Sequence, residues 1–351
     1  MKIAQIAPLV ESVPPKLYGG TERVVSWLTE ELVRMGHSVT LFASGDSITN
    51  AELEPIVPRA LRLDGKNGNS VPYNLLMLER VAARAHAFDI LHFHIDFFQF
   101  PVFREMAGRT LTTLHGRLDL PEIQPIYRVF NHVPLVSISN SQRAPMPPVN
   151  WRGTVHHGLP ADQFHLSERP KNYLAFLGRI SPEKGPERAI EIAVRAGIPL
   201  KIAAKVDEVD VHYYETIVQP LIAANPLVEF IGEINESQKQ IFLGNAKALL
   251  FPIDWPEPFG LVMIEAMACG TPVVAFNRGS VAEVVDDGRS GFIVESIEEA
   301  VHAVTRIGQL SRRTVRACFD LRFCASVMAA KYVDVYQRLL EKSRTTAREA
   351  A

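Results

Sequence analysis

Two carboxylates, Glu257 and Glu265, frame a turn that follows the short apolar run 248–251, a predicted strand. Three prolines within residues 252–258 keep the backbone extended or turning, because the residue before a proline avoids the helical region. Residues 260–268 are predicted to form a helix, and Gly270 lies where a C-terminal cap would be. The free N–H groups and positive dipole end of a helix at a sheet's carboxyl edge suit phosphate binding.

Glu265 is surrounded in the sequence by apolar residues. The predicted helix is apolar on nearly every side, because it contains Val262, Met263, Ile264, Ala266 and Met267. Such a helix is expected to be buried, and a buried carboxylate needs a partner. The sequence therefore predicts that Glu265 binds another group.

Two basic residues, Arg179 and Lys184, follow the predicted strand 173–177. Arginine offers a bidentate fork and lysine a compact charge, and both suit the binding of a negatively charged group. A glycine pair, Gly19-Gly20, opens the first predicted helix with Thr21 as its expected N-cap.

Two motifs carry a resemblance to a known family. The stretch E-P-F-G-L-V-M-I-E-A-M-A-C-G-T-P-V, residues 257–273, resembles the Glu-x7-Glu signature of the family 4 retaining glycosyltransferases, which have the GT-B fold. The stretch G-R-I-S-P-E-K-G, residues 178–185, resembles that family's diphosphate-binding signature.

The resemblance implies a role for each candidate residue. Glu257 would hold hydroxyls of the transferred sugar, and Glu265 would hold the donor ribose. The implied catalytic group is Glu257, His115, Arg179 and Lys184. The implied donor site comprises Gly19, Gly20, Arg179, Lys184, Gly232, Glu233, Ile234, Phe259, Gly260, Leu261, Val262 and Glu265. The family often has Asn-Gly where this chain has His157-Gly158, which leaves the role of that turn open.

A polar and aromatic cluster follows the predicted strand 89–95. His92, His94 and Asp96 alternate and would share one strand face, yet three ligands without a further shell favour buried histidines over a metal site. No metal and no cofactor are therefore expected. Asp96, with Phe97 and Phe98, is the candidate wall for the acceptor, because ligands bind at the carboxyl ends of such strands.

The chain has 351 residues, a length typical of a two-domain protein, and a formal net charge of −2. Nothing in that charge indicates a nucleic-acid partner. No apolar run reaches a membrane span and the N-terminus lacks the apolar region of a signal peptide, so the expected location is the cytoplasm. Cysteines 269, 318 and 324 form no C-x-x-C pair, which is typical of a reducing compartment.

Strands alternate with helices along the whole chain, a pattern typical of parallel α/β sheets. Together with the resemblance, this pattern implies two Rossmann-like, doubly wound domains of the GT-B type that face each other across a cleft. The parts that the resemblance implies are an acceptor-side domain (1–165), a donor-side domain (166–325) and a last segment (326–351). In that segment a C-terminal helix, predicted to end at residue 340, returns to the first domain and is followed by a tail. Residues 45–73 are predicted to be loop or short elements, and Asp162 to Lys171 to be a linker.

The predicted function is retaining transfer of a sugar, without a metal, from a nucleotide-sugar to a hydroxyl acceptor, with UDP favoured because most relatives use it. Lys and Arg equal Asp and Glu in number over residues 1–165, so a soluble acceptor is favoured over a lipid. A non-catalytic nucleotide-sugar binding protein is the main alternative. A nicotinamide-dependent oxidoreductase would need G-x-G-x-x-G, which is absent. A retaining glycoside hydrolase that used Glu257 and Glu265 would need their carboxyl groups about 5–5.5 Å apart. Eight helical residues span about 12 Å, so this alternative fits poorly.

Overall fold

The computed structural model describes residues 1–16, 19–65 and 69–349, with the backbone alone for residues 343–349. The chain divides into two compact units. Unit 1 comprises residues 1–158 and 325–351, and unit 2 comprises residues 159–324. The predicted domain boundaries were residues 165 and 325, and the predicted linker, 162–171, lies within unit 2.

Unit 1 contains a seven-stranded parallel sheet in the order β3-β2-β1-β4-β5-β6-β7. Its strands are β1 (Lys2–Ile6), β2 (Ser38–Ser44), β3 (Glu52–Val57), β4 (Ile90–Phe93), β5 (Thr110–Thr113), β6 (Leu135–Ser137) and β7 (Trp151–Thr154). The strand order reverses between β1 and β4, the kind of switch point at which doubly wound sheets bind ligands.

Four helices connect these strands. They are α1 (Gly20–Arg34), α2 (Val71–Arg84), α3 (Phe100–Phe103) and α4 (Gln124–Val129). The apolar residues of the strands and of α2 form a buried core that includes Phe42, Met77 and Phe93. A smaller core beneath α4 contains Phe100 and Tyr127.

Strand β3 lies in the stretch that the sequence predicts to be loop or short elements. It pairs with β2 at the sheet's edge, and Pro55 occupies a position that only an edge strand tolerates. The two glutamates and the proline of this strand obscure its apolar pattern. Residues 66–68 of the same stretch lie outside the described residues.

Unit 2 contains a six-stranded parallel sheet in the order β10-β9-β8-β11-β12-β13. Its strands are β8 (Leu174–Arg179), β9 (Leu200–Lys205), β10 (Val228–Gly232), β11 (Ala248–Phe251), β12 (Val273–Phe276) and β13 (Gly291–Val294). Strand β11 has the predicted bounds, 248–251. This sheet also has a switch point, between β8 and β11.

The helices of unit 2 pack on both faces of its sheet. They are α5 (Pro186–Ala196), α6 (Val211–Tyr213), α7 (Gln219–Ala224), α8 (Glu236–Gly244), α9 (Leu261–Ala268), α10 (Val281–Val284), α11 (Ile297–Arg306) and α12 (Arg312–Arg322). A π-helical turn, Tyr214–Val218, joins α6 to α7. Ser311 caps α12 through its side chain, as a helix that begins there requires.

The last helix, α13 (Ala325–Glu349), belongs to unit 1. It packs against α1 and β7, and its buried Tyr332 and Tyr336 face the sheet. The return of the last helix to the first unit was predicted from the resemblance. The helix continues to Glu349, nine residues past the predicted end at residue 340.

Candidate functional site

Two loops meet at the switch point of unit 2, one after β8 and the other after β11. Gly185 has φ +66°, and an added Cβ would lie 2.4 Å from the carbonyl oxygen of Pro252. The backbone N–H of Asp254 donates to the carbonyl of Glu183 at 2.9 Å. The backbones of the two loops are therefore in direct contact, which fixes the side chains between them.

This contact brings Lys184 and Glu257 together. The ammonium group of Lys184 pairs with the carboxylate of Glu257, and Glu257 is only 9% exposed. The same ammonium lies 4.6 Å from the ring centroid of Trp255, a cation–π distance. A cation and a carboxylate that the sequence suggests separately thus form one polar group at the carboxyl edge of the sheet.

A third loop supports the backbone of Glu257. Ser280 donates its backbone N–H to the carbonyl of Glu257 at 3.0 Å, and its hydroxyl donates to the carbonyl of Phe259 at 2.8 Å. Gly279 has φ +58°, and an added Cβ would lie 2.3 Å from the nitrogen and the carbonyl oxygen of Glu257. The sequence reasoning missed both residues, since nothing local in N-R-G-S distinguishes this turn from an ordinary one.

Arg179, the last residue of β8, is held by acidic side chains. It pairs with Glu183 and lies 3.7 Å from Asp207 and 3.5 Å from Asp210. Desolvation raises the pKa of Asp210 above its ordinary value, although the Arg179 charge opposes this. Asp207 and Asp210 follow β9 and belong to no motif in the sequence, whereas Glu183 lies within the motif 178–185. All three carboxylates pair with the guanidinium group of Arg179, to which the resemblance assigns the diphosphate.

Helix α9 is buried, as predicted, and its carboxylate has a partner. Glu265 is 2% exposed and accepts a hydrogen bond from the ammonium of Lys239 in α8 at 2.8 Å. The partner is a residue of the protein that the sequence analysis did not identify. Gly270 has φ +75° after the C-cap, which confirms its predicted place at the end of the helix.

The start of α9 differs slightly from the prediction. Gly260 has φ +79° and is the N-cap, so the helix begins at Leu261 and not at residue 260. Phe259 is 1% exposed and packs against Phe323, with ring centroids 6.1 Å apart. Its side chain belongs to the core, so that residue presents only its backbone to the turn. The N–H groups of Leu261 and Val262 lie in the first turn of the helix.

The donor-site segment Gly232 to Ile234, to which the resemblance assigns the nucleobase, follows the edge strand β10, and Gly232 has φ +76°. A cavity of about 370 Å³ lies along α8, lined by Tyr173, Ile231, Ile234 and Phe242 among others. The segment therefore borders a hollow with mostly apolar walls.

The glycine pair of unit 1 precedes α1 directly. The helix begins at Gly20 with Gly19 as N-cap and without a side-chain cap, so the expectation that Thr21 caps it is wrong. An added Cβ at Gly19 would lie 3.1 Å from a carboxylate oxygen of Glu22. Burial raises the pKa of Glu22 to about 7, and the nearby Glu11 adds to the effect. Residues 17 and 18 of this loop lie outside the described residues.

His115 follows β5 and is part of a histidine cluster. Its Nε2 lies 2.9 Å from Nδ1 of His94, and its ring stacks on that of His157 with centroids 5.2 Å apart. Burial lowers the pKa of His115 to about 3, so the ring is neutral. His157, at the position where the family often has asparagine, is thus placed beside the histidine that the resemblance assigns to the sugar.

The expected shared face of His92, His94 and Asp96 does not form. Strand β4 ends at Phe93, and Asp96 adopts a left-handed conformation with φ +57°. His92 and His94 are buried with protein partners on their ring nitrogens, whereas Asp96 is exposed. Within residues 1–16, 19–65 and 69–349, no group of three His, Cys, Asp or Glu side chains is arranged to hold a metal ion.

The acceptor candidates divide between core and surface. Phe97 packs against Tyr127 of the small core, with centroids 6.3 Å apart. Phe98 is 37% exposed and stacks on Phe97 at 5.6 Å. The protein around the exposed carboxyl of Asp96 still removes part of its hydration, which raises its pKa. Asp96 and Phe98 are therefore the members of this set that a ligand could reach.

Two Rossmann-like units, each with loops at a switch point, are the architecture of α/β proteins that bind ligands at the carboxyl edge of the sheet. Residues 161–314 match the family model described as Glycosyl transferases group 1, and residues 18–146 match Glycosyltransferase Family 4. The chain belongs to glycosyltransferase family 4, and its fold is of the GT-B type.

Known proteins agree with this assignment. D-inositol 3-phosphate glycosyltransferase 2 of Catenulispora acidiphila is 30% identical over 54% of this chain and 51% of its own length. Phosphatidyl-myo-inositol mannosyltransferase of Mycobacterium leprae is 25% identical over 96% of both chains. The chain thus spans about half the length of the first of these relatives. The structure of Anabaena HepE in complex with UDP is 20% identical, covers 96% of this chain and 100% of its own, and has a TM-score of 0.72.

Among the residues that the structure describes, no helix has both the length and the apolarity that crossing a membrane requires.

Proposed function

We propose that the protein is a retaining glycosyltransferase that moves a sugar from a nucleotide-sugar to a hydroxyl acceptor. The observation that carries this proposal is the contact between Lys184 and Glu257, beside the start of the helix that holds Glu265. A cation for the diphosphate, a carboxylate for sugar hydroxyls and free helix N–H groups lie on neighbouring loops. These are the groups that transfer from a nucleotide-sugar needs.

In the proposed reaction the protein, and not a metal, takes up the charge of the leaving diphosphate. Lys184, Arg179 and the N–H groups of Leu261 and Val262 would hold it. The acceptor hydroxyl would attack from the face that the nucleotide leaves, with a phosphate oxygen as proton acceptor. Since Lys184 and Arg179 are already paired with carboxylates, the diphosphate must compete with Glu257 and with the acids around Arg179.

Within unit 1, Gly19, Gly20 and His115 are proposed to meet the transferred sugar. UDP is the favoured nucleotide, and the UDP complex of the structurally similar HepE supports that choice. The favoured acceptor is soluble, with Asp96 and Phe98 on its side of the site. The relatives named for inositol phosphate suggest a polyol, since Asp96 could accept hydrogen bonds from several of its hydroxyls. The proposed location is the cytoplasm.

The test is a panel of UDP-, GDP- and ADP-sugars, scored by release of the nucleoside diphosphate with and without candidate polyol acceptors. We expect release of the diphosphate of one nucleotide class, and we expect the product to keep the anomeric configuration of the donor sugar. Binding of a nucleotide-sugar without any release would instead indicate a non-catalytic binding protein. Activity should persist in EDTA, and complete loss that a divalent ion restores would refute the metal-free mechanism.

A matched pair of ligands tests the role of Lys184. In Lys184→Ala, loss of one charge-assisted contact should cost roughly 1.5–3 kcal/mol of nucleoside diphosphate binding, about ten- to a hundredfold. Binding of the corresponding nucleoside should be nearly unchanged, because it carries no phosphate. Equal weakening of both ligands would remove Lys184 from the diphosphate site.

A further inference from the structure

A chain of buried hydrogen bonds runs through unit 1 from His115 to the last helix. His115 Nε2 meets His94 Nδ1 at 2.9 Å, and His94 Nε2 meets Oε1 of Gln5 at 2.7 Å. The amide nitrogen of Gln5 donates to the hydroxyl of Tyr336 at 3.1 Å. Gln5 is fully buried, and His94 is 3% exposed. The chain therefore lies in the interior, where each proton must have a definite position.

The chain continues beyond Tyr336 to a second histidine. The Tyr336 hydroxyl lies 2.7 Å from Nδ1 of His92, and Nε2 of His92 lies 2.8 Å from the hydroxyl of Thr113. Thr113 in turn meets the hydroxyl of Tyr332 at 3.0 Å. Burial holds the pKa of His92 and of His94 well below the ordinary value, so these rings are neutral. A neutral imidazole donates from one nitrogen and accepts at the other, which makes the chain directional.

Only two proton arrangements satisfy the chain between Gln5 and His115. In the first arrangement, Nε2–H of His94 donates a hydrogen bond to the Gln5 oxygen. Nδ1 of His94 is then unprotonated and accepts a hydrogen bond from Nε2–H of His115. In the second, the Gln5 amide is turned around, every donor becomes an acceptor, and His115 carries its proton on Nδ1. Such tautomers are inferred from the network of partners.

The surroundings of His115 Nδ1 decide between the two. This atom is buried and makes no hydrogen bond within the described part of the chain. Buried N–H groups without a partner are rare in folded proteins, and buried acceptors without a partner are somewhat more common. The first arrangement is therefore favoured, and it agrees with the orientation of the Gln5 amide.

We propose that Gln5 and His94 are positioning residues for His115, which they hold in one ring orientation and in the tautomer with Nε2 protonated and Nδ1 unprotonated. The inference rests on the proposed function, in which His115 contacts the transferred sugar. It assigns Gln5 and His94 the role of fixing the orientation and the protonation of a ring that contacts the ligand.

Nitrogen NMR of protein with ¹⁵N-labelled histidine rings tests the tautomer directly. A His115→Gln variant identifies the His115 signals by their absence. We expect a protonated-type Nε2 and a pyridine-type Nδ1 that stay constant from about pH 8 to pH 5, because the ring does not titrate there. A protonated Nδ1 or an imidazolium signal would overturn the proposal.

Variants of His94 test the positioning role. His94→Leu removes the acceptor for His115 Nε2–H, and we expect its nitrogen signals to move towards a tautomer average. Turnover should fall roughly ten- to a hundredfold, while affinity for the nucleoside diphosphate stays within about twofold. His94→Asn retains an acceptor oxygen near the position of Nδ1, so it should restore the tautomer and most of the turnover, to within about threefold.

Tyr332→Phe is the matched control, since it removes a hydroxyl at the far end of the same network and leaves Gln5 and His94 intact. It should leave the His115 signals and turnover unchanged. Wild-type turnover in His94→Leu, or an equal loss in Tyr332→Phe, would refute the positioning role. If the wild-type protein releases no nucleotide from any donor, the proposed function fails, while the NMR result still decides the tautomer.

Discussion

The buried pair between Lys239 and Glu265 gives the sharpest test of how unit 2 is stabilised. Glu265 is 2% exposed and Lys239 is 8% exposed, so little solvent screens either charge. Lys239→Met keeps the length of the side chain and removes its charge. The remaining carboxylate would be buried without its partner, which typically costs about 3–5 kcal/mol.

The neighbouring pair adds little to this figure. Lys239 also lies 2.6 Å from Glu236, whose side chain is 41% exposed, and such a surface contact contributes less than about 1 kcal/mol. Glu265→Gln removes the buried negative charge and leaves Lys239 with Glu236. Its loss of stability should therefore be smaller than that of Lys239→Met. In the double variant Lys239→Met with Glu265→Leu, no buried charge remains, so most of the stability should return.

Denaturant unfolding, followed by the fluorescence of a single tryptophan, measures the effect in unit 2 alone. Trp255 lies in unit 2, whereas the other two tryptophans, Trp27 and Trp151, lie in unit 1 and can be replaced by phenylalanine. The matched control is Lys201→Met. It breaks the pair with Glu229, which is 2.5 Å long but has side chains 35% and 58% exposed, and should cost less than about 1 kcal/mol. A loss in Lys239→Met no larger than in this control would refute the reasoning.

Three further predictions follow from the site and from unit 1. Gly279→Ala should lower turnover at least about tenfold, because the added Cβ would lie 2.3 Å from the backbone of Glu257. The control is Gly288→Ala, which has a similar φ of +72° but no atom within 4 Å of the added Cβ, and it should leave turnover unchanged. Equal effects of the two substitutions on turnover would contradict the steric argument. Asp96→Asn should raise the acceptor KM while slow hydrolysis of the donor stays near the wild-type rate; an unaltered acceptor KM would exclude Asp96 from the site. The unfolding free energy of unit 1 should fall as the pH drops below about 6.5. The cause is the lowered pKa of the buried His92, His94 and His157, which stay neutral in the folded protein while they are protonated in the unfolded chain. Each histidine contributes about 1.4 kcal/mol per pH unit between about 6.5 and its lowered folded pKa. Glu22 acts in the opposite sense, since its pKa is raised to about 7 and the stability it gives below about 4.5 is lost as the pH rises through 7. Denaturant unfolding at pH 7.5 and pH 5.5, read from Trp27 and Trp151, checks the net sign.

Much of the fold was predictable because local patterns and long-range structure agree. The apolar run 248–251 is a strand with those bounds, and the apolar helix around Glu265 is buried. Strand β3 was not identified because its sequence, E-L-E-P-I-V, has charges and a proline that only an edge position accommodates. The sequence therefore indicated the order of the elements better than the extent of the sheet's edges.

The candidate site was predictable where a motif spans one turn, and not where partners come from distant segments. Lys184 and Glu257 belong to separate motifs, and both were expected in the site. Lys239 and Gly279 were missed, because their importance depends on the tertiary approach of one element to another. No spacing in the chain encodes such an approach.

Unit 2 is a continuous segment inserted between β7 and α13 of unit 1, and the two ends of the insert are neighbours. The backbone N–H of Leu159 donates to the carbonyl of Phe323 at 3.0 Å, and Leu159 pairs with Cys324 as an isolated bridge. The chain thus leaves unit 1 and returns to it at adjacent points, as tolerated domain insertions do. During synthesis unit 2 can fold while unit 1 still waits for its last helix, since Tyr336 bonds to His92, 244 residues earlier. A chain in which a short linker joins residue 158 to residue 325 should consequently fold as unit 1 alone.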